Sequence, residues 1–387
     1  MMTKLGEICA ERIETLDAKY SGKIDYIDIS SVDNYEKKIV RVQEISAKDA
    51  PSRAKQLIQD GDVIVSLVRP NLNAVAIVEE QNENLQVAST GYCVLRSKPE
   101  IYNRYLFNFC QSDTFINKMV SQATGASYPA VSNSIVKSCE IPLPNLNQQK
   151  RVADILDKVS GLISCREQQL AKLDELVKAR FVEMFGDAEY NTKKFPISKL
   201  VDLCCVSSSK RIYQDEQSTS GIPFLRISDL SARIDYGAET CELYIPVEKY
   251  QDLCAKKLVP VAGDILITSR GTLGKCYIVK ESDKFYFQDG MISWLSNINK
   301  QISSVYISYL FSTSGIQKQI ANLQAGSTVA YLSISMLKKL DIMIPPPSLQ
   351  NEFVAFVERV DQQKQTVQQS LDKLELMKKA LMQEYFG

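Results

Sequence analysis

The chain has 387 residues, 45% of them apolar, with 46 Lys+Arg against 46 Asp+Glu, ten cysteines and no histidine. That length exceeds one hydrophobic core, so two domains or more are expected. The missing histidine removes imidazole acid–base chemistry, Ser-His and Cys-His nucleophile pairs and nearly all zinc sites. Zero net charge leaves a nucleic-acid partner open, since phosphates meet a local field; it implies that partner subunits supply part of the phosphate contacts.

The first residues, MMTKLGEICAERIETLD, carry charge throughout and hold no signal-peptide core. No apolar run approaches the ~20 residues of a membrane span, so a cytoplasmic location is expected. The cysteines form no C-x-x-C pair, and Cys204-Cys205 are adjacent; buried thiols in a reducing compartment are the expectation.

Leu5-Gly6-Glu7-Ile8-Cys9 opens the first globular stretch, and Tyr26-Ile27-Asp28-Ile29-Ser30 alternates as a strand does. Gly61-Asp62 reads as a turn leading into the apolar strand Val63-Ile64-Val65-Ser66, followed by the strand-like Ala76-Ile77-Val78. Tyr105-Leu106-Phe107 begins a short helix, and Gly125-Ala126-Ser127 marks a polar loop.

From Ile141 to Gly186 a proline-containing extended lead runs into a long helical pattern that starts near Asn145 to Gln149. Leu156, Ile163, Leu170, Val177 and Met184 fall seven apart, with Val159 and Leu173 three after members of that row. This is a coiled-coil seam, in a rod on the order of 50–60 Å long.

The second half repeats the first. Leu200-Val201-Asp202-Leu203-Cys204, Phe224-Leu225-Arg226-Ile227-Ser228, Gly263-Asp264 with Ile265-Leu266-Ile267-Thr268, Tyr277-Ile278-Val279, Tyr309-Leu310-Phe311 and Gly326-Ser327-Thr328 return in the same order. A second proline-rich lead and rod, Ile344 to Gly387, carry Val357, Val360, Val367, Leu371, Leu374 and Leu381 on the seam. Val159 and Val360, Leu170 and Leu371, and Gly186 and Gly387 are each 201 residues apart, so this is an internal repeat. Asn351-Glu352-Phe353 is read as standing where the first lead has Gln148-Gln149-Lys150. Where the first helix has Ile163, Arg166, Val177 and Arg180, the second has Lys364, Val367, Lys378 and Leu381. Each helix is thus a poor partner for a copy of itself and a better one for the other; periodicity leaves their direction open.

The expected fold is α+β: a globular domain at 1–144, a coiled-coil helix at 145–186, a homologous domain at 187–347 and a second helix at 348–387. Catalytic motifs are missing. No G-x-G-x-x-G follows a strand, Gly274-Lys275 lacks the first glycine of a phosphate loop, the Pro-Pro stretches lack the flanks of an amino-methyltransferase loop, and Glu36-Lys37-Lys38 is too short a match to a nuclease site to carry weight. Asp62 and Asp264 read as turn caps. What remains is recognition, with donors able to reach base edges and phosphates in equivalent loops. They are Arg69, Asn71, Asn73 and Tyr128 in the first domain, and Lys210, Arg211, Tyr213, Arg270, Thr272, Lys275 and Tyr331 in the second. Each is also readable as a solvated side chain, and the unlike loops as drift after duplication.

The lead I-P-L-P-x-L-x-x-Q-K at Ile141–Lys150, the helix ending Met184-Phe185-Gly186 and their return before Gly387 resemble the specificity subunit of type I restriction-modification enzymes, as do the paired Gly-Asp turns. The resemblance implies two tandem target recognition domains, each reading half of a split double-stranded DNA target, and two helices packed as an antiparallel coiled coil that sets the spacer. It implies a non-catalytic chain without cofactor or metal. Adenine methyltransferase subunits would dock on it and carry the S-adenosylmethionine, and a motor-nuclease subunit can join. At about 3.4 Å per base pair, a rod of tens of ångströms could hold two readers about a helical turn apart. The competing readings are a two-domain coiled-coil scaffold with no DNA role and a nuclease fused to its own reader.

Overall fold

The computed structural model describes residues 1–79, 84–239, 241–324 and 330–387. The chain divides into two units: Met1–Gln168 with Val367–Gly387, and Gln169–Thr366. Both long helices, Leu146–Phe185 and Pro347–Phe386, are shared between them. Each has 40 residues, about 60 Å of α-helix.

In the first unit, strand Lys23–Ile27 pairs parallel with Leu85–Ser89 and antiparallel with Gln43–Ser46. Val63–Ser66 lies between Tyr92–Leu95 and Val75–Ile77, and Met2–Lys4 pairs with Glu140–Pro142. The second unit repeats this plan. Ile222–Leu225 pairs parallel with Tyr286–Phe287, Ile265–Thr268 lies between Ile292–Ser296 and Cys276–Ile278, and Ile197–Lys199 pairs with Asp341–Met343. The copies diverge after the first strand of the parallel pair. There the first unit has the hairpin Val32–Asp33/Lys38–Ile39, and the second has helices Ile227–Tyr236 and Val247–Ala255.

The expected strands Tyr26–Ser30 and Phe224–Ser228 are shorter than their alternation suggests, ending at Ile27 and Leu225. Carboxylates stop them. The Asp28 side chain accepts from the Ser30 amide at 2.8 Å and opens a 3-10 turn, and Asp229 accepts from the Arg226 amide at 2.8 Å as a helix begins.

Asp62 and Asp264 cap their turns. They accept from the Gln59 and Val261 amides at 3.0 Å each, and are then held by Arg96 and by the Trp294 indole. Burial raises the Asp264 carboxyl above its usual range. All ten cysteines are free thiols. Cys9, Cys93, Cys110, Cys139 and Cys204 are buried as expected, whereas Cys165, Cys205 and Cys254 are exposed.

Each unit settles the helix direction. In the first, Ala153, Leu156 and the terminal Phe386 share one apolar core; in the second, Val177, Phe181 and Phe185 share one with Phe353, Val357 and Val360. The start of each helix therefore lies beside the end of the other, and the pair is antiparallel. The Phe-Gly stop now has a cause. Phe386 sits 5.1 Å from Tyr105, and its equivalent Phe185 sits 4.8 Å from Tyr306, ring centre to ring centre. Gly186 ends the first helix at φ +76°.

The seam residues Leu156, Val159, Val177, Met184, Val357, Val360, Val367 and Leu371 are buried, while Ile163, Leu170, Leu173, Leu374 and Leu381 are half-buried. Polar substitutions on the seam are used as cross-pairs within the second unit. Lys364 meets Asp174 at 2.6 Å, and Arg180 meets Glu352 at 2.8 Å.

The structure also corrects the register of the two leads. Gln149 and Gln350 are 201 apart, and each is buried and makes the same three bonds. Gln149 Oε1 accepts from the Tyr102 amide, and its Nε2 donates to the Glu100 and Pro144 carbonyls; Gln350 does so with Ser303, Gln301 and Pro345, all at 2.8–3.0 Å. Ile342 and Pro345 therefore match Ile141 and Pro144, and Asn351 stands for Lys150.

Candidate nucleic-acid interface

The first candidate loop is a 3-10 turn, Pro70–Leu72, bracketed by two residues in the left-handed region, Arg69 at φ +50° and Asn73 at φ +48°. Side-chain-bearing residues adopt that region at a cost of about 1–2 kcal/mol each, less for Asn, so surrounding bonds must hold it. The Arg69 amide donates to the Pro129 carbonyl at 2.7 Å and the Val131 amide to Leu67 at 2.9 Å. These bonds lay the 124–131 loop alongside. That loop closes through a Thr124–Ala130 bridge. It turns at Gly125, φ +102°, where a Cβ would lie 2.8 Å from the Tyr128 carbonyl oxygen.

The result is an exposed pair: the Arg69 guanidinium lies 4.6 Å from the centre of the Tyr128 ring, and Tyr128 is 67% exposed. Such a contact aligns the guanidinium and leaves its N–H donors free, worth about 0.5–1 kcal/mol at an exposed site. Among the described residues no carboxylate forms an ion pair with Arg69. Asn71 is exposed in the same turn.

Asn73 is a correction. It is buried, its Nδ2 donates to the Cys110 carbonyl at 2.8 Å, and its oxygens accept from Lys37; it holds the loop and presents nothing to solvent.

The second unit builds the same junction. Arg270 bridges Tyr331, and the Leu332 amide donates to Ser269 at 2.9 Å. Arg270, Thr272 and Tyr331 are exposed in this turn. Gly326, Ser327 and Thr328 of the adjoining loop lie outside the described residues. The Ser269 amide donates to Met291, as Leu67 does to Gly91 in the first unit. The Met291 turn, to whose Sδ the Arg270 guanidinium donates at 3.8 Å, also carries Asp289, which pairs with Arg211 at 2.8 Å. Lys210 and Tyr213 are exposed on the same segment. Lys275 is a second correction. Its ammonium meets both oxygens of Asp235 at 2.6 Å and is half-buried, so it serves the fold.

Sequence reasoning missed Arg53, an exposed side chain whose carbonyl accepts from Thr90 beside the Leu67–Gly91 contact. Nothing in its local pattern marks it; the antiparallel pairing of Ala54–Leu57 with Leu85–Ser89 brings it there. Among the described residues no group of three His, Cys, Asp or Glu could hold a metal, and no helix is long and apolar enough to cross a membrane.

The family described as type I restriction modification DNA specificity domain matches residues 1–175 and again 192–376. The chain is similar to the specificity subunit S.HindORF215P of Haemophilus influenzae, 25% identical over 275 residues, which are 69% of this chain and 66% of the relative. It is similar to the MjaVIII specificity subunit of Methanocaldococcus jannaschii, 26% identical over 68% of this chain and 64% of the relative. With the EcoKI specificity subunit of Escherichia coli it shares 21% identity over 83% of this chain and 72% of that one. The chain thus spans just under two thirds of the length of the first two. Among solved structures it resembles a chain from work on complex assembly and conformational transition of the type I R-M system, with TM-score 0.63, 23% identity and coverage of 100% and 97%. It also resembles the type I restriction-modification S subunit of M. genitalium, with TM-score 0.58, 16% identity and coverage of 100% and 96%. At these identities the likeness concerns the fold.

Proposed function

We propose, from the premise that this chain belongs to the type I restriction modification DNA specificity family, that it is the sequence-reading, non-catalytic chain of a restriction-modification complex in the cytoplasm. Each unit reads one half of a split double-stranded DNA target. Adenine methyltransferase subunits, which bring the S-adenosylmethionine, dock on it, and a motor-nuclease subunit can join the assembly. One observation carries the reading: an exposed arginine lies in the same turn of both copies, Arg69 and, one register position earlier where the first unit has Val68, Arg270, and in each the following loop is bonded alongside. A guanidinium with free donors suits guanine O6 and N7, and a good bidentate contact is worth about 1–3 kcal/mol of discrimination. The uneven pairing of Arg211 and Lys275 within the second unit gives the two units unlike surfaces, as two half-targets require.

The test is a gel shift with the full chain and its methyltransferase partner on a duplex library. One split sequence is expected to be selected. Arg69→Ala is expected to weaken binding to it by about 10- to 100-fold, and Tyr128→Ala by less, since it only aligns the arginine. Binding with no split preference would return the scaffold reading.

A further inference from the structure

The hairpin Val32–Asp33/Lys38–Ile39, found among the described residues in the first unit only, presents Lys37 at its turn. The Asp33 carboxylate accepts from the Tyr35 and Glu36 amides at 2.7 and 2.8 Å, which fixes the turn and puts Lys37 at φ +57°. The side chain runs inward to a cleft of about 1060 Å³ within the first unit, between the hairpin, residues 104–114 and the two long helices. Its ammonium donates to the Asn73 carbonyl at 2.6 Å and to Asn73 Oδ1 at 3.2 Å. Among the described residues it has no ion-pair partner. Burial and the nearby Lys378 push it down to about 8, with Asp33 opposing them. The cleft's other charged groups are engaged elsewhere in part, Asp157 with Arg104 and Glu167 with Tyr35. A surface lysine could turn to water at little cost. This one is half-buried and bonds two neutral acceptors of the residue that closes the first candidate loop.

We propose that Lys37 is a positioning residue for sequence reading: bonded to Asn73, it fixes the left-handed exit of the 69–73 turn and thereby sets where Arg69 and Asn71 meet the DNA. The second unit shows why the lock is one-sided. The position 201 residues on is Gly274, at φ +77°, which takes the left-handed conformation unaided. A Cβ there would also be tight, 3.0 Å from the ends of the Gln317 and Ile320 side chains. The first unit has Asn in place of Gly and holds it from both sides, Cys110 on the amide nitrogen and Lys37 on the oxygens.

This inference rests on the proposed function and is tested in the assembled complex. Methylation rates are measured on duplexes carrying single base changes in one half-target or the other. Lys37→Met is expected to cut discrimination at the half read by the first unit about tenfold, the scale of one bidentate contact, and to leave the other half unchanged. Lys37→Arg, which keeps two donors, restores it. Asn73→Gly placed in the Lys37→Met chain supplies a residue that takes the left-handed exit unaided, as Gly274 does, and recovers discrimination; Lys37→Ala covers the case in which the methionine variant fails to assemble. Equal loss at both halves would mean a general folding role, and intact discrimination would mean no role; either overturns the proposal. A wild-type complex with no split target at all would instead remove the reading beneath it.

Discussion

Phe386→Ala is expected to destabilise the first unit by roughly 3–5 kcal/mol, the range for deleting a buried aromatic ring. The Phe386 side chain is 2% exposed, 5.1 Å from Tyr105 and 5.7 Å from Phe109, ring centre to ring centre. The other buried residues of that core, the last of them Leu156, stand 230 positions or more earlier in the chain. Phe185→Ala is expected to do the same in the second unit, where that ring meets Tyr306 at 4.8 Å and Phe353 at 5.4 Å. Hydrogen exchange reads the two separately. Phe386→Ala should expose the amides of Val63–Ser66, and Phe185→Ala those of Ile265–Thr268. If Phe386→Ala leaves the first strand as protected as before, the terminal helix does not complete that unit.

The second large effect concerns Gln149. Its amide satisfies one backbone N–H and two carbonyls that have left water, Tyr102, Glu100 and Pro144. Gln149→Ala strands these groups at about 1–3 kcal/mol for each that water cannot reach, so a net loss of about 2–4 kcal/mol is expected. Gln149→Glu should be at least as damaging, because a carboxylate cannot donate to the two carbonyls. Gln350→Ala predicts a matching loss in the second unit through Ser303, Gln301 and Pro345. Denaturant unfolding followed in each unit checks this, with the exposed Leu146→Ala as a control that should shift little. A Gln149→Ala chain as stable as the parent would show that the start of the helix is not clamped.

These two residues also show what could be read from the chain and what could not. The 201-residue offset, the seam and the Phe-Gly stops were legible because periodicity and repetition are written in order along the sequence. The Gln149–Gln350 match was available from the same offset. It was obscured because the proline-rich leads align more readily by their prolines, two residues out of register. The antiparallel direction was not legible from the seam, because heptads are silent on polarity; it depends on Phe386 reaching Tyr105 across the whole chain.

In the candidate interface, Arg69 and Tyr128 could be named as residue types, but their stacking needs the Arg69–Pro129 bond between distant loops. Asn73 and Lys275 looked like the same kind of donor. Only the fold reveals that one is turned onto Cys110 and the other held by Asp235. Lys37 was legible only as part of a short charged run.

The central claim is that each copy reads its own half of one split target. Sequencing the methylated motif in cells carrying the full chain with its methyltransferase tests it most directly, comparing wild type with Arg69→Ala and Arg270→Ala. The account predicts that wild type marks one split motif, that Arg69→Ala relaxes bases in one half only, and that Arg270→Ala relaxes bases in the other half only. Relaxation of the same half by both variants, or a motif that neither variant alters, would contradict it.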